Sequence, residues 1–325
     1  MEYRYSYLVD PTSYDSRGLC DGIPLRVHRH SDLEKSGVAR LRDDWKKYTG
    51  RSLDSFVGCI GPVYSFTTVT IPECLPTRLE IVSYVMESAF LHDDSADSRR
   101  KSEGDALDHP FVTSLNQAAS QVNGKSESGK ENFQINMVKE LTSIDPIRAK
   151  ELIAYWSEAL SPGREWERTM DFEAYLEYRL TNCGSLLMLG LIIFGMGLTI
   201  PPEEKSECIR LTQPAWLAAS LTNDVQSYDK EYKLHQAGDN VSMTNGIWVL
   251  MQQHSLDFEV AKVRVLQKIR YFVAKFTNNL ENIRTSNLSL DSRLLVEASQ
   301  YMVSGNLHWG MLSPRYEVNQ NQTDL

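Results

Sequence analysis

The sequence predicts an all-α protein, and three observations carry that prediction. Apolar residues recur three and four apart along most of the chain, the period of a helix with one buried face. Runs that alternate apolar and polar residues, as half-buried strands require, are few. Pro162-Gly163, Pro201-Pro202 and Gly238 fall between the periodic segments, where helices usually stop.

Taken in order, the spacing predicts helices over 34–48, 77–92, 110–121, 133–141, 147–160, 166–200, 204–211, 214–236, 241–253, 257–284 and 291–311. The second carries the stripe Leu79, Val82, Met86, Phe90. Two polar stretches, 93–108 and 121–132, interrupt the pattern after it, and the later one reads as a surface loop. The segment 183–200 is uncharged and about long enough to span a bilayer. Its four glycines and the lack of flanking basic clusters favour the other reading, the central helix of a large bundle. Pro214 opens the helix 214–236, and Leu295, Ala298, Met302 and Trp309 form the stripe of the last one. No interdomain linker or internal repeat is evident, so residues 1–325 read as one helical domain, with 316–325 a tail or the start of a linker.

Composition narrows the function. The chain has 34 basic and 43 acidic residues, a net charge of -9, and no dense Lys/Arg run. Nucleic acid and anionic membrane are therefore disfavoured as partners. Five scattered cysteines without a CxxC pair argue against a disulfide framework or zinc site. Together with an N-terminus that lacks the pattern of a signal peptide, they point to a reducing cytoplasm.

Two acidic constellations suggest chemistry. Continuing the 79–90 stripe by three and four residues reaches Asp93 and Asp97 of the run DDSAD. Carboxylates that prolong a buried face call for a cation, and a hard metal suits them; a solvated helix end is the plainer alternative. The run NDVQSYDKE places Asn223, Ser227 and Glu231 at i, i+4 and i+8, so amide, hydroxyl and carboxylate oxygens line one face over two turns. That is a plausible set of Mg2+ ligands, with Trp216 on the same face as an apolar floor. A capped polar stripe facing solvent would read similarly, although Asn and Ser are poor helix formers at such regular spacing.

In this order and separation, DDSAD and NDVQSYDKE resemble the two metal motifs of class I terpene cyclases. Arg179, 44 residues before Asn223, matches the family's pyrophosphate-sensing arginine, and Arg315-Tyr316 its terminal Arg-Tyr pair. The strings SRGLCDGIPLR and GNLHWGMLSPRY resemble the cyclase half of fungal chimeric prenyltransferase–terpene synthases, the group containing fusicoccadiene synthase. Isoprenyl-chain-elongating enzymes share the first motif but usually repeat DDxxD where this chain has NDxxSxxxE, which favours cyclisation. Bacterial relatives often carry Asp where this chain has Asn182.

The resemblance implies a class I helical bundle around a cavity and a linear isoprenyl diphosphate substrate. That substrate would be geranylgeranyl diphosphate, giving a polycyclic diterpene, with geranylfarnesyl diphosphate and a sesterterpene as the alternative. It implies three Mg2+ ions held by Asp93, Asn223, Ser227 and Glu231, with Asp97 also in the metal motif, where the family's later acidic residue often acts indirectly or not at all. Arg179, Lys230, Arg315 and Tyr316 would bind the diphosphate. Phe66, Phe90, Trp216 and Trp309, with Asn182 and Cys183, would line the cavity and stabilise carbocations. A homodimer is common in the family, and the prenyltransferase half of the chimeric proteins is not within these 325 residues. An elongating transferase and a non-catalytic metal-binding scaffold complete the alternatives.

Overall fold

The computed structural model describes residues 2–99, 129–160, 170–237 and 243–317. They form an α-helical bundle with one small hairpin at the N-terminus. Strands β1 (Ser6–Leu8) and β2 (Arg26–His28) pair antiparallel, Ser6 opposite His28. The buried Glu73 carboxylate accepts from the backbone N–H of Arg4, Tyr5 and Ser6 and pins this hairpin to the bundle.

The helices are α1 (Ser31–Thr49), α2 (Phe66–Thr70), α3 (Pro76–Arg99), α4 (Gly129–Ile144), α5 (Pro146–Ala159), α6 (Phe172–Asn182), α7 (Ser185–Met196), α8 (Lys205–Gln236), α9 (Gly246–His254), α10 (Phe258–Ile283), α11 (Leu290–Ala298) and α12 (Gln300–Leu312). The predicted helix 110–121 lies outside the described residues. Most predicted helices return within a few residues of their expected ends, whereas the hairpin and the short α2 were not anticipated.

Three boundaries differ from the prediction for identifiable reasons. The expected helix 166–200 breaks at Gly184, whose φ of 71° is the left-handed conformation that glycine adopts without steric cost. The expected pair 204–211 and 214–236 is one helix, α8, running through Pro214. Asn279 of α10 donates to the Leu211 carbonyl within the turn that the proline loosens. The segment 291–311 splits at Ser299, whose hydroxyl and backbone N–H both turn back to the Leu295 carbonyl.

Two apolar clusters make up the interior. One joins α1, α3, α4, α5 and α7, and the other joins α6, α9 and α10. Helices α8 and α12 feed both: Trp216 and Trp309 enter the first, Leu217 and Leu307 the second. Such partition helices are buried on more than one side, so their apolar residues do not form a single stripe. Helix α7 is the extreme case, with every residue from Leu187 to Gly195 buried. Each large aliphatic side chain there contributes about 1.5–3 kcal/mol relative to exposure. The run Phe172–Met196 is long and apolar enough to cross a membrane by composition. It bends at Gly184, and its most apolar half is the core of the bundle.

Candidate active site

The C-terminal half of α8 forms one wall of the site. Ser227 donates to a Glu231 carboxylate oxygen at 2.6 Å, so two of the three predicted ligands already converge. Asn223, one turn earlier, accepts from Arg179 Nη2 at 3.2 Å and donates to the Tyr316 hydroxyl at 2.7 Å. Burial pushes the Glu231 carboxyl up to about 7, with the nearby charge of Asp224 adding to the shift.

Arg179 reaches this wall from α6. Its Nη2 meets Asp224 Oδ1 at 2.9 Å and its Nη1 meets Asn182 Oδ1 at 3.2 Å, while Nε is buried without a partner. Burial opposes the guanidinium charge, but Asp224 outweighs it and holds the proton more firmly than usual. Asp224 is itself completely buried, and it also accepts from the Tyr175 hydroxyl at 2.5 Å and from Gly246 N–H at 3.0 Å. Lys230 sits one residue off the predicted ligand stripe of α8, and its side chain makes no hydrogen bond or ion pair with the described residues.

The opposite wall is the end of α3. The helix runs beyond the predicted limit of 92 and carries Asp93 and Asp94 within it. The predicted stripe is out of phase by one residue here: the Asp93 side chain is 70% exposed, whereas Asp94, at 20%, turns inward. The side chain of Asp97 lies outside those described. Arg315 grips Asp94 with two bonds of 2.6 and 3.0 Å, reaches Asp93 at 3.5 Å and donates to the Val57 carbonyl. Adjacent residues of one 3-10 turn, Pro314–Tyr316, therefore join the two walls, Arg315 on α3 and Tyr316 on α8. Burial pushes the Tyr316 hydroxyl up to about 12, so it stays protonated and can donate.

Phe66, Phe90 and Trp309 gather beside this turn, with ring centroids 4.9 to 5.5 Å apart. The Arg315 guanidinium lies 4.8 Å over Phe90, and Trp309 packs edge-on against Tyr316. The Trp309 indole N–H is fixed by the Cys59 carbonyl, whereas that of Trp216, in the same apolar cluster, has no partner.

Residues 84–275 match the family described as terpene synthase family 2, C-terminal metal binding. The chain belongs to the terpene synthase family. It is 49% identical to phomopsene synthase of Phomopsis amygdali over 329 residues, covering 100% of this chain and 45% of that protein. It is 35% identical to the bifunctional sesterterpene synthase astC of Talaromyces wortmannii, covering 98% of this chain and 43% of that one. The chain thus spans about half the length of the curated relatives it matches. Its fold is that of aristolochene synthase from Penicillium roqueforti, with a TM-score of 0.70 at 19% identity over 88% of this chain and 96% of that structure.

No group of three His, Cys, Asp or Glu side chains converges among the described residues. Asn223, Ser227 and Glu231 offer only oxygens and a single carboxylate, which suits Mg2+, an ion that keeps several waters and takes further ligands from substrate phosphates.

Of the residues that the sequence reading does not single out, Asp94 faces the candidate site through its pair with Arg315, and the others lie behind the α8 wall. Asp224 and Tyr175 anchor Arg179, and Asn245, the N-cap of α9, donates to Glu231 at 3.1 Å. An Asn directly before an apolar helical run was readable as a cap, but its contact with Glu231 was not. Cys183 ends α6, its N–H bonded to the Arg179 carbonyl, and burial raises its thiol above the ordinary range.

Proposed function

We propose that the chain is a Mg2+-dependent class I terpene cyclase that ionises geranylgeranyl diphosphate and closes the cation into a polycyclic diterpene, releasing diphosphate. The observation that carries this reading is the turn at Arg315 and Tyr316, which joins an aspartate-bearing helix to an Asn/Ser/Glu helix at one place. Asn223, Ser227, Glu231 and Asp93 would hold Mg2+, which when bound supplies positive charge that stabilises the departing diphosphate.

The chain's own residues do the remainder. Arg179, Arg315 and Tyr316 present hydrogen-bond donors to diphosphate oxygens, and the unpaired Nε of Arg179 is one such donor. Phe66, Phe90 and Trp309 offer π faces to an allylic cation, worth about 0.5–2 kcal/mol each, and add no nucleophile that could quench it. Closing the site excludes water, which would otherwise trap the cation as an alcohol.

A second reading, a sesterterpene cyclase acting on geranylfarnesyl diphosphate, is supported by the likeness to astC. The greater length of the relatives supports a single cyclase domain that works beside a prenyltransferase half, and a homodimer and a cytoplasmic location belong to the same proposal. Incubation with C15, C20 and C25 isoprenyl diphosphates, with Mg2+ or EDTA, followed by gas chromatography–mass spectrometry of a hexane extract, tests both readings. The expected result is a Mg2+-dependent cyclic C20 hydrocarbon. A C25 product selects the second reading, and absence of any cyclic product rejects both.

A further inference from the structure

Behind the α8 wall, one side chain outside both metal motifs makes contacts that its local role does not require. Asn245 is completely buried at the N-terminus of α9. Its Oδ1 accepts from Ile247 N–H at 3.0 Å, an ordinary cap. Its Nδ2 donates in two further directions, to the Asp224 carbonyl at 2.8 Å and to Glu231 Oε2 at 3.1 Å. A reversed amide would set its oxygen against two acceptors and its N–H2 against a donor, so the partners fix the orientation.

Ser, Thr or Asp could cap the helix equally well. Only an amide combines an acceptor with two donors at this length. The surrounding backbone is equally constrained. Gly246 N–H bonds Asp224 Oδ2, and a Cβ at Gly246 would meet that oxygen at 3.0 Å and Tyr175 at 3.1 Å. Because Asn245 holds one oxygen of Glu231, the other is left to Ser227 on the ligand stripe.

We propose that Asn245 is a positioning residue for the metal site, holding Glu231 Oε2 so that its other carboxylate oxygen faces the Asn223/Ser227 stripe, and tying that orientation to the Asp224 backbone beside Arg179. This inference rests on the cyclase reading for the identity of the metal ligands. Partners that orient a metal ligand from behind typically change metal affinity 10–100-fold when removed.

The test is thermal unfolding of the protein titrated with Mg2+ at fixed inorganic pyrophosphate. The wild type is compared with Asn245→Asp, which keeps the cap oxygen and loses both donors, and with Asn245→Ser, which keeps a cap and cannot reach Glu231. The expected result is a cooperative metal-free transition in a variant, with the half-saturating Mg2+ concentration raised about tenfold or more. A half-saturation within twofold of wild type in either folded variant overturns the proposal. A merely structural role would lower the metal-free melting temperature and leave the Mg2+ dependence unmoved, which also overturns it. If the wild type itself shows no Mg2+-dependent shift, the cyclase reading fails instead, so the two failures are distinguishable.

Discussion

The two walls of the site are built differently. On α8, the candidate ligand oxygens sit in a buried network in which Asp224 alone receives bonds from Arg179, Tyr175 and Gly246, while Glu231 is held by Ser227 and Asn245. On α3, Asp93 is largely exposed, and its contact with Arg315 is the longest of that cluster. The contrast teaches that one wall is organised by the fold itself, through partners on α6 and α9. The other is held mainly by a C-terminal turn that crosses from the far side. A substrate that bridges both would find α8 prepared and would complete α3 on arrival.

The carboxylates of the two walls should differ in what they contribute to stability. Asp224→Ala leaves the Arg179 guanidinium buried without its carboxylate, and breaking such a pair typically costs about 3–5 kcal/mol. Asp93→Ala removes an exposed group and should stay within about 0.5 kcal/mol. Urea denaturation of the metal-free protein measures both, and equal losses would break the distinction between the walls.

A smaller effect concerns the aromatic floor under α3. Glu34 on α1 is completely buried and accepts from the backbone N–H of Thr67 and Thr68, capping the short helix that carries Phe66. Burial pushes its carboxyl from 4.5 up to about 7. The folded protein thus holds this proton more tightly than the unfolded chain. The stability it contributes is fully present below pH 4.5 and is lost as pH rises through 7. Glu34→Gln lacks this titration, so its stability deficit against wild type should shrink between pH 4.5 and pH 8, by up to about 3 kcal/mol. A deficit independent of pH would show that the carboxyl is not strained by burial.

The smallest effect probes whether the α8 network is already complete. Asn182→Asp adds the carboxylate that bacterial relatives often place there, but Arg179 is already paired with Asp224 at 2.9 Å. The change in melting temperature should correspond to less than about 1 kcal/mol. A larger gain would mean that Asp224 leaves the guanidinium underpaired.

Local spacing made part of this site legible. Asn223, Ser227 and Glu231 could be read directly because a helix fixes the relation of i, i+4 and i+8 whatever surrounds it. The same rule puts Asp93 on the inner face and is off by one residue, since with 3.6 residues per turn both i+3 and i+4 flank the stripe, and it is Asp94 that pairs closely with Arg315. Gly184 reads as helix because an uncharged, largely apolar run follows it to Met196, and hydrophobic content does not report φ. Pro214 reads as a boundary, yet Asn279, 65 residues later, donates to a carbonyl in the turn that the proline loosens. Asn245, Tyr175 and Glu34 act through contacts with residues 14, 49 and 33 positions away, a kind of pairing that no single sequence displays.

Two walls that serve one diphosphate should behave as a single unit in catalysis. Diphosphate release from geranylgeranyl diphosphate in Mg2+ tests it most directly, with kcat/KM compared for wild type, Asp93→Ala, Glu231→Ala and the double variant. Each single change should cost about 100-fold or more, and the double variant should be little worse than the poorer single, as for groups that act as one unit. Losses that multiply, or turnover that survives removal of either wall, would show that the walls do not share one diphosphate.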